Sequence, residues 1–115
     1  MVEVSSDQSF LRVHLRPMEK LGAFHGDVLV AVDRITRVRV VADAWSELRG
    51  IRAPGTGWPG VIALGTRRGT FGKDFAAVYG HRPGVVIEMS NAEFERIIVS
   101  CDDPDRVAAG LHFVE

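Results

Sequence analysis

Apolar and polar positions along this 115-residue chain mostly alternate, and a period of two marks strands with one buried face. In "FLRVHLR" (10–16), Leu11, Val13 and Leu15 fall on one side and Arg12, His14 and Arg16 on the other. "DVLVAV" (27–32) is a compact apolar run between Asp27 and Asp33. "ITRVRVVA" (35–42) sets Val38 and Val40 against Arg37 and Arg39. Further strands are expected in "VIALGT" (61–66), "FGKDFAAVYG" (71–80), "VVIEMS" (85–90) and "EFERIIVSC" (93–101), which makes seven. The breaks between them carry turn chemistry: "RRGT" at 67–70, Pro83 and Gly84 in "HRPG", and "NA" at 91–92.

Two segments read as helical. Pro17 opens "PMEKLGAFHG" at the position where a missing N–H costs nothing, and Gly22 or Gly26 ends it after about two turns. Asp103 and Pro104 form a second start, an N-cap followed by a proline, and Val107, Leu111 and Val114 then recur at helical spacing. "DAWSELRGI" (43–51) reads as a loop with one turn of helix before Gly50.

"GTGWPG" matches the spacing of a dinucleotide-binding turn at Gly55, Gly57 and Gly60. Such a turn must follow a strand, open a helix and meet a carboxylate about 20 residues on. Here Pro59 interrupts the motif, a β-rich run follows, and the later stretch is "VYGHRPG". Pro54-Gly55 and Pro59-Gly60 read instead as turn pairs between strands.

Composition narrows the class. Hydrophobic residues are 46% and charged residues 25%, ordinary for one globular domain with one core. The N-terminal "MVEVSSDQSF" lacks the apolar region of a signal peptide, and no apolar run approaches a membrane-spanning length. Cys101 is the only cysteine, so no internal disulfide is expected, and its apolar strand suits a buried thiol. A cytoplasmic location is expected.

No constellation of residues suggests catalysis, a metal or a cofactor. His14, His25, His81 and His112 are scattered, no serine lies in a nucleophile motif, and Cys101 has no neighbouring base. "CDDPD" crowds three carboxylates, which helix capping explains without a cation. The chain is not expected to be an enzyme.

Charge is distributed unevenly although the net value is −1. Residues 34–82 hold nine cations against Asp43, Glu47 and Asp74, whereas residues 83–115 hold Arg96 and Arg106 against seven carboxylates. Either the basic middle binds an anion, or it lies beside the acidic end and is neutralised by it. An anion site would use Arg49, Arg52, Arg67, Arg68 and Arg82, all on predicted loops. Five of the nine aromatics (Trp45, Trp58, Phe71, Phe75 and Tyr79) fall in the same region, most of them expected in the core. A near-neutral net charge argues against nucleic acid as the partner.

Taken together, "ELRGIRAPGTGWPGVIALGT", "KDFAAVYG", "VVIEMS" and "CDDPDRVAAGL" resemble the bacterial pleckstrin-homology-like family over residues 10–112. The resemblance implies a mainly β fold, a barrel or orthogonal sandwich of about seven antiparallel strands with a C-terminal helix at one end. It further implies a non-enzymatic binding or scaffold module working through protein contacts, self-association among them, with an anionic small molecule or lipid headgroup as the alternative ligand. The loop in which phosphoinositide-binding relatives cluster basic residues carries here only Lys20 and His25.

Overall fold

The computed structural model describes residues 2–23 and 25–111, and for 52–54 the backbone alone. Among the described residues the chain forms β1 (Glu3–Ser6), β2 (Phe10–His14), α1 (Pro17–Ala23), β3 (Val28–Ala31), β4 (Ile35–Val41), β5 (Ile51–Trp58), β6 (Ile62–Gly69), β7 (Gly72–Val78), β8 (Gly84–Met89), β9 (Arg96–Ser100) and α2 (Pro104–Ala109). A three-stranded sheet has the order β1-β2-β3, and a six-stranded sheet has the order β4-β8-β9-β7-β6-β5. No helix of the described chain is long and apolar enough to cross a membrane.

The mainly β class and the helix after Asp103 agree with the sequence reading, but seven antiparallel strands in a barrel do not. The described strands number nine, β7 and β9 run parallel, and the six-stranded sheet is open, with β4 and β5 as its edges. The extra strands come from two places. β1 carries too few apolar residues to announce itself, and the glycine stretch expected as a turn is in fact β5. Gly55 sits there at φ 154°, beside a register shift between Arg52 and Gly55, and a Cβ at this position would collide with the Leu64 carbonyl oxygen. Glycine is thus the residue that lets a bulged edge strand lie close to β6. Only Gly60, at φ 74° beside the bond from the Val61 N–H to the Trp58 carbonyl, makes the expected turn.

The central strands are buried on both faces, which is why "FAAV", "VVI" and "IIV" read as continuous apolar runs instead of alternating. On one face Leu11, Val13, Val28 and Val30 of the small sheet, with Leu15 just past β2, pack with Phe75, Ala77, Val85, Ile87, Ile97 and Val99. On the other, Ala44, Trp45 and Leu48 cover Val78, Val86 and Ile98. The segment expected as a loop with a helical turn is therefore a lid on the second face, built as a 3₁₀ turn at Ala44–Glu47 and capped by Asp43, which accepts from the Trp45 N–H.

Helix α2 starts as expected, with the Asp103 carboxylate accepting from the Arg106 N–H at 3.3 Å and Pro104 in the first turn. Val107 and Leu111 join the main core, whereas Val114, His112 and Phe113 lie outside the described residues.

Candidate functional site around the β5–β6 hairpin

The register of the six-stranded sheet explains the uneven charge. Arg37 on β4 lies opposite Glu88 on β8, Glu88 opposite Arg96 on β9, Arg96 opposite Asp74 on β7, Asp74 opposite Arg67 on β6, and Arg67 opposite Arg52 on β5. One row of alternating charge thus crosses all six strands and ends on two arginines. Cross-strand neighbours of opposite sign attract, and those of like sign repel. Much of the basic middle is neutralised by the acidic end and by its own Asp74, and the parallel insertion of β9 between β8 and β7 brings this about.

Asp74 is the centre of the row and is fully buried. Arg49 grips it bidentately, Nε to Oδ2 at 2.6 Å and the terminal nitrogen to Oδ1 at 3.0 Å, and Arg96 Nε approaches Oδ2 at 3.3 Å. The bond to Asp74 holds the Arg49 guanidinium even further above its ordinary pKa, and its carbon stacks 3.8 Å from the Phe71 ring centre. Arg39 bridges Glu88 at 2.6 Å and Glu47 at 2.8 Å, and Arg96 also reaches Glu47 at 3.6 Å.

The five arginines singled out from the sequence do not share one environment. Arg49 is bound to Asp74. Arg67 donates to the carbonyls of Arg49 at 2.9 Å and Gly50 at 3.1 Å, so these two stand together. Arg68 lies opposite Lys73 and Ile51 in the sheet, next in sequence to Arg67. The backbone of Arg52 sits opposite Arg67, and its side chain lies outside what the structure describes. Arg82 follows the far end of β7 and reaches Asp102 at 3.7 Å. The geometry therefore gathers Arg49, Arg52, Arg67 and Arg68 at one end of the β5–β6–β7 ladder and places Arg82 at the other.

The aromatics also divide. Phe75 is fully buried, but Phe71, Trp45 and Tyr79 are half-buried and Trp58 is 68% exposed. With it stand Ile51 at 76% on the same edge strand and Val61 at 58% in the turn. Trp45, Trp58, Ile51 and Arg67 border a shallow cavity of about 430 Å³ on the lid side, over small residues Gly57 and Ala63. Trp58 is exposed because β5 is an edge strand, a position the sequence does not reveal for a stretch that reads as a turn.

A second cavity, of about 660 Å³, lies on the opposite side of the same hairpin under α1, and Ile62 borders both. Pro17, Met18, Gly22, Ile62 and Leu64 make it largely apolar. Its polar end is Glu19, which is 5% exposed. One carboxylate oxygen accepts from the Arg16 N–H at 2.8 Å, closing the first turn of α1, and the other accepts from the Tyr79 hydroxyl. Burial, with Glu19 as acceptor, pushes the Tyr79 phenol far above its ordinary pKa. Glu19 and Tyr79 were missed from sequence, since a glutamate in the first turn of a short helix ordinarily faces water.

His14 faces outward and meets Asp27 at 2.9 Å, and His81 meets Asp43 at 2.9 Å. Burial, with Asp102 and Asp103 close by, pushes the Cys101 thiol up to about 11. A comparison of the chain with protein-family models, curated proteins and solved structures found no match.

Proposed function

We propose that this chain is a small non-enzymatic binding module of the pleckstrin-homology-like kind that works by protein contact, with a second copy of itself as the first partner. The observation that carries this reading is the exposure of Ile51, Trp58 and Val61 along one edge strand and its turn. Large apolar side chains grouped in solvent mark contact surfaces, and tryptophan is the residue most often found at their energetic centre. Pro54 and the bulge at Gly55 interrupt the edge, so the contact is made by side chains rather than by an added strand. A patch meeting itself across a two-fold axis closes as a dimer. Two sheets and a C-terminal helix support the family assignment, while the parallel β7–β9 pair departs from it.

In a Trp45→Phe background Trp58 is the sole tryptophan, and its emission should shift to the blue as protein concentration rises from micromolar to millimolar. Emission that stays that of a solvated indole throughout would overturn the reading.

The alternative is an anionic small molecule or lipid headgroup held by Arg52 and Arg67, whose side-by-side placement supports it, while Arg68, next along β6, belongs to the other face of the sheet. An anion there would offset the repulsion between two like charges. Phosphate should then raise the melting temperature of the wild type and not that of Arg52→Ala.

A further inference from the structure

The cavity under α1 is bordered by three side chains that carry acceptor oxygens, Glu19, Tyr79 and Thr56. The Tyr79 hydroxyl donates its proton to Glu19, and the Thr56 hydroxyl donates its proton to the Gly22 carbonyl at 2.6 Å. What these two oxygens present to the cavity they both border is lone pairs. Glu19 adds a carboxylate that is 95% removed from solvent, and no ion pair to it occurs among the described residues. A buried carboxylate facing apolar walls, outside any ion pair, leaves an electrostatic demand that a ligand can meet.

We infer that this cavity binds a small apolar monoamine, its ammonium on the Glu19, Tyr79 and Thr56 oxygens and its hydrocarbon body against Met18, Ile62 and Leu64. The volume, about 660 Å³, falls in the range of small-molecule sites. Three acceptors match the three donors of a primary ammonium. Arg16 is exposed, borders the same cavity and acts electrostatically on the Tyr79 hydroxyl, so the charged groups the ligand meets are Glu19 and Arg16. The apolar walls of Met18, Ile62 and Leu64 offer a second ammonium no partner, so the cavity accepts one positive charge at its Glu19 end. Because the phenol is held well above its ordinary pKa, it keeps its proton and its role toward Glu19 across the neutral range.

The test is a calorimetric titration of the full chain with four six-carbon probes: hexylammonium, 1,6-hexanediammonium, hexanol and hexanoate. Hexylammonium should bind saturably, and each of the other three at least ten-fold more weakly. Glu19→Gln, which keeps shape and removes charge, should bring hexylammonium down to the level of hexanol, whereas Tyr79→Phe should weaken it less. Equal binding of hexanol and hexylammonium would show a merely greasy groove and overturn the proposal, as would the absence of saturable binding of the amine. If Glu19→Gln does not fold, the ranking of the four probes on the wild type decides the matter alone. The outcome is independent of self-association, since Ile51, Trp58 and Val61 of the proposed contact do not border this cavity.

Discussion

Substituting Asp74 by Asn leaves the shape of the buried centre of the charge row and removes its charge. Asp74 is fully buried and receives three charge-assisted hydrogen bonds, at 2.6, 3.0 and 3.3 Å, from Arg49 and Arg96. Breaking a buried pair by removing one partner costs about 3–5 kcal/mol, because the surviving charge stays out of water. Arg96 is the residue that suffers: its side chain is only 15% exposed, and its other partners are the Glu47 side chain and carbonyl. Arg49, at 37% exposed and stacked on Phe71, turns more easily to solvent, whereas Arg49→Met leaves the fully buried Asp74 carboxylate with only the 3.3 Å bond from Arg96 and should cost about as much as Asp74→Asn. Urea unfolding followed by tryptophan emission reads both, with an unchanged denaturant slope expected. In heat, Asp74→Asn should lower the melting temperature by about 10–20 °C. The double replacement Asp74→Leu with Arg49→Met should be less harmful than Asp74→Asn alone, since an apolar pair leaves one fewer charge stranded. A cost for Asp74→Asn below about 1 kcal/mol, the range of an ordinary surface change, would refute the idea that this row is an internal strut.

Three further outcomes are expected. Cys101, with its thiol pushed up to about 11, should react with iodoacetamide far more slowly at pH 8 than a free cysteine, the rate still climbing above pH 10. The Leu15 N–H, and secondly His14, hold Asp27 below the ordinary aspartate value of 3.8, and His81 does the same for Asp43. Both groups then protonate later on acidification in the folded state than in the unfolded one. Their contribution is complete above the unfolded value and lost as pH falls through the folded one, so Asp27→Asn should flatten the acid limb of stability against pH below about 4. Finally, Gly84→Ala should destabilise by about 3 kcal/mol, because its Cβ would press on the Val99 carbonyl and the Ala44 methyl, whereas Gly60→Ala, in open space at φ 74°, should lose only about 1 kcal/mol. Thermal melts of the two variants rank them directly.

What the sequence made legible follows from how local each cause is. β2, β3, β4, the turn at Gly60 and the capped start of α2 depend on neighbours within a few residues, and the alternation of Leu11, Val13 and Leu15 or the Asp103-Pro104 pair states them outright. β5 was hidden because Pro54-Gly55 and Pro59-Gly60 read as turn pairs, although the need Gly55 meets is the close approach of an edge strand to β6. The charge row was visible only as a regional imbalance. Its pairing of Glu88 with Arg96 and of Arg96 with Asp74 depends on β9 entering between β8 and β7, a non-local choice. The same non-local packing buries Glu19 under Tyr79, sixty residues away in sequence, and leaves Trp58 in solvent. Of the arginines grouped from the sequence, Arg67 donates to the Arg49 carbonyl, and Arg49 itself is engaged by Asp74.

The proposed contact at the hairpin is tested most directly by the mass of the protein in solution, measured by light scattering across a wide concentration range for the wild type and for Trp58→Ser. The wild type should pass reversibly from monomer to dimer with rising concentration, and Trp58→Ser, changed only at an exposed position, should keep its stability and stay monomeric. A wild type that is monomeric throughout, or a dimer that Trp58→Ser leaves intact, would contradict the account.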